Sequence, residues 1–285
     1  MKSRATNMNK WIGPCILGLV AALMVHGPAS AHGPLFSPAP ETIWKDGTEI
    51  TLGSHFDKAT GGSKKEREVE TFLEVEYGLT ADWQIGIEVP YSWKEDDGAR
   101  SNGPGDVTLS TKVQFWQRDL PGAQYKGAAF LEVKLPTGND DSDPRLGSGS
   151  TDVIMGLATG YESRRWYWFA SGVYRANTEG SGNLEKGDRQ FLNLVGGIRP
   201  VLSAYEEPDT VLMLELNWER SGPDRLDGVK VGDSGGWELF VSPVMWWTYR
   251  QYAVRAGVQI PVARSLQGSQ ATTDYRARLE IIYHF

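Results

Sequence analysis

The sequence has little of what several large classes of protein depend on. It contains a single cysteine, Cys15, in 285 residues, which excludes a disulfide-stabilised scaffold and a cysteine-ligated zinc site. Its formal net charge is −7, so we expect no nucleic-acid partner, because a phosphate backbone requires a basic surface. It has one long apolar run, whereas a helical membrane protein with several spans needs several runs of about 20 apolar residues each.

That run belongs to a segment with the organisation of a secretory signal peptide. Lys2, Arg4 and Lys10 precede the apolar residues 11–25, and residues 29–31 provide a small-x-small cleavage site. We expect residues 1–31 to be removed on export, so that the mature chain begins at His32. Because Cys15 lies within the signal peptide, the mature chain is expected to contain no cysteine.

The rest of the sequence is rich in alternating patterns. From Thr48 onward, apolar and polar residues alternate through segments of about ten residues, and a period of two is the signature of a β-strand. The last segment is the clearest, since every second residue from Tyr275 to Phe285 is apolar. The pattern predicts twelve strands, near residues 48–57, 67–78, 83–94, 105–117, 127–137, 151–162, 165–176, 189–201, 209–220, 236–247, 251–262 and 272–285.

Two tryptophans on the third predicted strand indicate that the strands cross a membrane. Trp83 and Trp93 share one face with the apolar residues between them. Ten residues of strand cover roughly 33 Å, or about 25 Å of height once the strand is tilted. This height matches the lipid-facing apolar band of an outer-membrane barrel between its two aromatic girdles.

The connections alternate in length, which gives the barrel its orientation. Long connections follow the odd-numbered predicted strands, at residues 58–66, 95–104, 138–150, 177–188, 221–235 and 263–271. We therefore predict an all-β fold, an antiparallel transmembrane β-barrel of about 12 strands with short periplasmic turns and long extracellular loops. The predicted location is the outer membrane of a Gram-negative bacterium. Residues 32–47 would form a short periplasmic N-terminal leader, with no long plug, and residues 48–285 the barrel.

The polar face of each strand is expected to point into the lumen. The charged residues predicted to line a pore are Glu70, Glu74, Glu76, Glu88, Lys112, Glu215, Arg255, Arg276, Arg278 and Glu280. One interpretation is an ion-pair network that fills and stabilises the barrel, since charges inside must be paired or hydrated. The other is a transverse field across a narrow pore that orients a polar or charged solute. The two are compatible.

The histidines give no support for an enzyme. His55 and His284 are predicted at opposite ends of adjacent strands, so they are too far apart to share one metal or act on one nucleophile. We expect no catalytic residues and no cofactor. His32 differs, because cleavage would make it the N-terminal residue, and its α-amino group and imidazole could together chelate copper or a similar metal. Metal-linked transport through His32 is therefore one alternative function.

Three segments resemble a known family. They are GPGDVTL at residues 103–109, LPTG at 135–138 and LGSGSTD at 146–152, together with the signal peptide and the terminal Phe285. They resemble the outer-membrane family assigned to the meta-pathway of phenol degradation, over most of the mature chain. The resemblance implies passive outer-membrane transport, of small aromatic or hydrophobic compounds. The segments have turn and strand-end chemistry, so they specify architecture better than solute.

The predicted function is an outer-membrane channel or facilitator for passive passage of small solutes. The expected partners are a small-molecule solute, outer-membrane lipid, and the barrel assembly machinery, which would recognise the C-terminal Phe285 as a sorting signal. The principal alternative is a non-conducting barrel that serves as a structural or adhesion element through its extracellular loops.

Overall fold

The computed structural model describes residues 33–61, 64–204 and 207–285. The predicted signal peptide and His32 lie outside these residues. Within them the chain forms sixteen β-strands and one 3-10 turn, at Ser181–Asn183. The strands are β1 (Thr48–Gly61), β2 (Lys64–Thr80), β3 (Trp83–Asp96), β4 (Ala99–Pro104), β5 (Thr108–Leu120), β6 (Ala123–Lys134), β7 (Asp152–Ser163), β8 (Trp166–Ala176), β9 (Leu184–Glu185), β10 (Arg189–Ile198), β11 (Asp209–Ser221), β12 (Arg225–Leu226), β13 (Val229–Lys230), β14 (Gly236–Tyr249), β15 (Tyr252–Leu266) and β16 (Thr272–His284).

Twelve of the strands in the described ranges close into an antiparallel barrel. Their order is β1, β2, β3, β5, β6, β7, β8, β10, β11, β14, β15 and β16, and β16 pairs with β1. The predicted fold class is confirmed, and each of the twelve predicted strands corresponds to one of these. The short strands β9, β12 and β13 form a separate three-stranded sheet above the barrel.

Two predicted loops are largely strand instead. β1 and β2 pair as far as Gly61 and Lys64, within the predicted loop 58–66. β3 continues into a hairpin with β4, which turns at Asp97 and Gly98, both with positive φ. Both segments are polar on each face, because they rise above the apolar band, so the alternation that marks a membrane strand is missing from them.

Short turns and both ends of the barrel chain lie at the same end of the molecule. Two-residue connections join β2 to β3, β5 to β6, β7 to β8 and β14 to β15. The Phe285 backbone N donates to the Thr48 carbonyl at this end, over 2.8 Å. The other long connections emerge at the opposite end, whereas the ten-residue connection between β10 and β11, residues 199–208, lies beside the short turns. We call the two ends periplasmic and extracellular, following the predicted orientation.

The outer surface of the barrel is an apolar belt. Large apolar side chains such as Leu52, Leu194, Leu214 and Ile281 are exposed around it. Trp83 and Trp93 are 44% and 47% exposed, at its lower and upper edges. An apolar surface that encircles the molecule is stable only in lipid. No helix in the described ranges is both long and apolar enough to cross a membrane.

The buried apolar core lies inside the barrel, against the wall formed by β8, β10, β11, β14, β15 and β16. It includes one residue from before the first strand, Leu35, with Phe36 packed against it. Its members are Leu35, Tyr167, Phe169, Val195, Val211, Met213, Val244, Trp246, Ala253 and Ile282.

Candidate functional site

The segment that precedes β1 lies inside the lumen. We call residues 33–47 the leader. Its attachment point is Glu215 of β11, which is fully buried. One carboxylate oxygen of Glu215 accepts hydrogen bonds from the backbone N of Leu35 (2.7 Å) and Phe36 (3.1 Å), and the other accepts one from Ser37 Oγ (2.7 Å). A single carboxylate thus binds three consecutive residues of the leader.

Side chains from other parts of the wall bind the leader backbone. Arg255 Nη1 donates to the Pro34 carbonyl over 3.1 Å, and Arg278 Nη1 donates to the Leu35 carbonyl over 2.9 Å. Further along, Lys112 Nζ donates to the Glu41 carbonyl over 2.8 Å. Gln84 Oε1 accepts from the Ile43 backbone N over 2.8 Å. These partners come from β15, β16, β5 and β3, so the leader is held from several sides.

Glycines in the wall make room for the leader. A Cβ atom on Gly257 would lie 3.0 Å from both Leu35 and Phe36. A Cβ atom on Gly78 would lie 2.1 Å from the Trp44 carbonyl oxygen, closer than any side chain can approach. The glycines of the wall therefore leave the space that the leader occupies.

This arrangement differs from the expected periplasmic leader without a plug. Fifteen extended residues reach roughly 50 Å, which exceeds the height of the apolar band, so length did not exclude a plug. The segment is rich in proline and has no strand pattern, and it binds side chains of the wall through its own backbone groups, which a sequence does not distinguish. The apolar residues Leu35, Phe36, Ile43 and Trp44 were the available signal, because a leader in water would expose them.

Eight of the ten predicted pore-lining residues border one cavity of about 850 Å³. It lies between the leader and the extracellular loops. Glu215 and Arg276 are outside it, because Glu215 is bound to the leader and Arg276 pairs with Glu219 over 2.8 Å. The eight that border the cavity are Glu70, Glu74, Glu76, Glu88, Lys112, Arg255, Arg278 and Glu280.

In the lumen, the arginines have ion-pair partners, whereas some of the glutamates have none among the described residues. Glu280 pairs with Arg255 and with Arg278, at 2.5 and 2.7 Å. In contrast, Glu74 and Glu88 lie directly opposite each other on β2 and β3, and neither forms a salt bridge with a described residue. Both arginines thus have a carboxylate partner, although they share it, whereas Glu74 and Glu88 have no ion-pair partner among the described residues.

The wall opposite the glutamate row has an apolar patch, although the same strands also contribute polar side chains such as Glu132 and Arg175. Phe130, Ile154, Val173 and Phe191 line the cavity from β6, β7, β8 and β10. They alternate with the lipid-facing residues of the same strands. The cavity is therefore amphipathic, with carboxylates on one side and aromatic and aliphatic side chains on the other.

A cluster at the extracellular mouth was not predicted. Lys134 Nζ lies 2.7 Å from Asp152 and 3.2 Å from Asp106, and Arg175 lies 2.8 Å from Asp152. Asp106 also accepts hydrogen bonds from the backbone N of Gly138 (2.9 Å) and Ser148 (2.8 Å). Burial alone would raise the pKa of the Asp106 carboxyl, but these hydrogen bonds and the nearby Lys134 lower it.

The cluster explains the three segments that carry the family resemblance. Asp106 belongs to GPGDVTL, Gly138 to LPTG, and Ser148 and Asp152 to LGSGSTD. The Thr137 hydroxyl also accepts from the Val107 backbone N over 2.8 Å. Their common role is to fold the connection 135–151 onto the mouth of the barrel. The signal was present in the sequence as Asp, Gly and Ser at strand ends.

The histidines stay apart. His284 Nδ1 lies 2.9 Å from Glu49 near the periplasmic end, whereas His55 is opposite Arg278 further up the lumen. In the described residues no group of three potential metal ligands from His, Cys, Asp and Glu comes together. The metal site expected at His32 remains a prediction, because His32 lies outside the described residues.

The closed barrel, its apolar belt and its polar lumen, which the leader occupies in part, define an outer-membrane β-barrel. The chain belongs to the family described as "Putative MetA-pathway of phenol degradation", whose model matches residues 45–200. The family resemblance found in the sequence is therefore confirmed. Comparison with curated proteins gives no match.

Two solved structures are similar to this fold. The COG4313 outer membrane channel from Pseudomonas putida F1 superposes with a TM-score of 0.68 at 16% identity, over 88% of this chain and 100% of that one. The beta domain of the Bordetella autotransporter BrkA gives a TM-score of 0.51 at 10% identity, over 84% of this chain and 100% of that one. At these identities the similarity establishes the fold.

Proposed function

We propose that the chain is an outer-membrane channel for the passive passage of small solutes, restricted by its own leader. The observation that carries the proposal is the cavity of about 850 Å³ beside the leader. At about 30 Å³ per water molecule, such a volume would hold roughly 25–30 waters. A barrel with a purely mechanical role would be expected to fill this space with side chains.

The solutes proposed for the channel are small aromatic compounds. The family description names phenol degradation, and the cavity offers matching chemistry. Its apolar wall would accept a ring, while the carboxylates opposite would accept hydrogen bonds from a hydroxyl group. Because the proposal requires no cofactor or catalytic residue, the concentration gradient of the solute would drive its passage.

Conductance of the refolded mature barrel in a planar bilayer tests the proposal. We expect small, discrete current steps from the full mature chain and larger steps from a variant that lacks residues 33–44. Uptake of phenol into vesicles with the reconstituted protein tests the solute. The matched control for uptake is glucose, a polar solute with no aromatic ring.

The outcomes separate the alternatives. Silence from both the mature chain and the deletion variant, each shown to be folded, would overturn the channel and favour a structural or adhesion barrel. Current steps with equal uptake of phenol and glucose would retain the channel and overturn the aromatic preference.

A further inference from the structure

The lipid-facing surface has a cluster of cations on its extracellular rim. Four cations lie on β1, β2 and β4, and β3 lies between β2 and β4. We call them the cation patch: Lys58, Lys65, Arg67 and Arg100. The strand register places Lys58 opposite Arg67, Arg67 opposite Glu95, and Glu95 opposite Arg100. Three cations and one carboxylate therefore form a single row across four strands.

The row lies immediately above the apolar belt. One step towards the membrane centre, Phe56, Val69 and Trp93 form the neighbouring row. Tyr275 lies opposite Lys58, with the Lys58 Nζ 6.0 Å from the ring centroid. Aromatic residues occupy the membrane interface, so the cation patch is at the depth of lipid headgroups.

The positive charge of the patch is only partly compensated. Lys58 pairs with Asp274 over 2.9 Å and Arg100 pairs with Glu95 over 3.1 Å. Lys65 and Arg67 are exposed and form no salt bridge with a described residue. Like charges directly opposite each other destabilise a sheet, and Arg67, opposite Lys58, has no carboxylate partner of its own among the described residues.

The clustering is local. On the outward faces of the other described barrel strands, the extracellular half carries one comparable cation, Arg220 of β11. Its neighbours in the register are Gln190 and Trp237, so it is isolated. A general excess of rim cations would place them around the whole barrel rather than on one set of adjacent strands.

We propose that the cation patch binds the phosphate groups of a phosphorylated glycolipid in the outer leaflet, with the acyl chains lying on the belt below. Arginine offers a fork of donors that matches phosphate, and lysine adds a compact charge. The apolar surface directly beneath favours a lipid headgroup over a free anion. The inference depends on the membrane location and is independent of conduction.

Lipid retention tests the proposal. The mature barrel is reconstituted in phosphatidylcholine nanodiscs that contain diphosphoryl lipid A, extracted in mild detergent, and analysed for bound lipid by native mass spectrometry. A parallel sample contains lipid A without its phosphates. We expect retention of diphosphoryl lipid A to exceed retention of the dephosphorylated form by at least about tenfold, since each cation near a charged lipid surface contributes about fivefold.

Two variants with the same change in charge localise the effect. K65Q/R67Q/R100Q removes the patch, whereas the control R220Q/R225Q/K230Q removes three exposed cations elsewhere at the extracellular end. We expect the patch variant to lose at least about tenfold in retention and the control to match the unmodified chain. Heat-modifiable mobility on gels establishes folding, and R67Q alone replaces the triple variant where folding fails.

Three results would overturn the proposal. They are equal retention of both lipid forms, equal loss in both variants, and displacement of the lipid by millimolar inorganic phosphate, which would indicate a site for a free anion.

Discussion

Glu215 is a buried carboxylate that is stabilised by backbone groups instead of a cation. It accepts hydrogen bonds from Leu35, Phe36 and Ser37, and Asn217 Nδ2 lies 3.4 Å away. Without the leader this carboxylate would be a buried charge with few donors, which is costly. The leader is therefore part of the folded structure.

Replacing Glu215 should loosen the leader. Glu215→Gln removes the charge from two short hydrogen bonds, and charged hydrogen bonds are worth about 1.5–3 kcal/mol each. A cysteine at Pro38, which borders the cavity, reports the change through its rate of maleimide labelling. We expect labelling to accelerate by at least roughly tenfold. Glu219→Gln is the control, because Glu219 pairs with arginines of the wall, and its labelling rate should stay unchanged.

Glu41 should make leader binding depend on pH. Burial, followed by the charge of Glu162, raises the pKa of the Glu41 carboxyl from 4.5 to about 7. Ionisation is therefore disfavoured in the bound leader, so binding is strongest below about pH 4.5 and weakens as the pH rises to about 7. We expect a spin label at P38C to become more mobile at pH 8 than at pH 5. Glu41→Gln should remove most of this difference, and an unchanged difference would assign it to other groups.

At the scale of elements, the strands were predictable and the leader was not. A membrane strand must present apolar residues to lipid at every second position, so its pattern is strong in the sequence. Strand segments above the lipid lack this requirement, as in β4. The β5 strand has a bulge between Gln114 and Trp116, which leaves Phe115 and Trp116 both exposed and interrupts the alternation locally.

The facing of the lumenal residues was predictable for the same reason, but their partners were not. Alternation places Arg278 and Glu215 inside. It does not reveal that Arg278 and Glu215 both bind the leader, because contacts across a lumen depend on barrel closure and on backbone groups. The mouth cluster likewise joins three segments that are far apart in the sequence.

The strand β16 allows a test of the lipid-facing surface. Leu279 is 48% exposed and lies midway between Tyr275 and Tyr283 along the strand. Leu279→Arg should lower the free energy of unfolding by about 2–4 kcal/mol, the cost of a cation near the membrane midplane. Urea titration of the refolded barrel in lipid vesicles measures this. Leu279→Met is the control, and equal stability of both variants would contradict the assignment of the outer face.

At the scale of the whole molecule, charge is divided between the two sides of the lumen. The carboxylates of β2 and β3 face the cavity without ion pairs to described residues at Glu74 and Glu88, whereas Arg255 and Arg278 share Glu280. The same two arginines also donate hydrogen bonds to carbonyl groups of the leader. The unpaired carboxylates of β2 and β3 are thus the charges that a passing solute would meet on that wall, and they should concentrate cations on that side of the cavity.

A salt gradient across a planar bilayer tests this division of charge. We expect the reversal potential of the mature chain to indicate a preference for cations of about tenfold at low salt, since a lining of one charge raises the local concentration of counterions to that extent or more. Glu74→Gln with Glu88→Gln should move the reversal potential towards zero. The control, Glu219→Gln with Glu238→Gln, removes the same formal charge from carboxylates with arginine partners. If the reversal potential of the control shifts as far as that of the test variant, total charge rather than the unpaired glutamates sets the ion selectivity. If the unmodified chain prefers anions, the arginines set the selectivity.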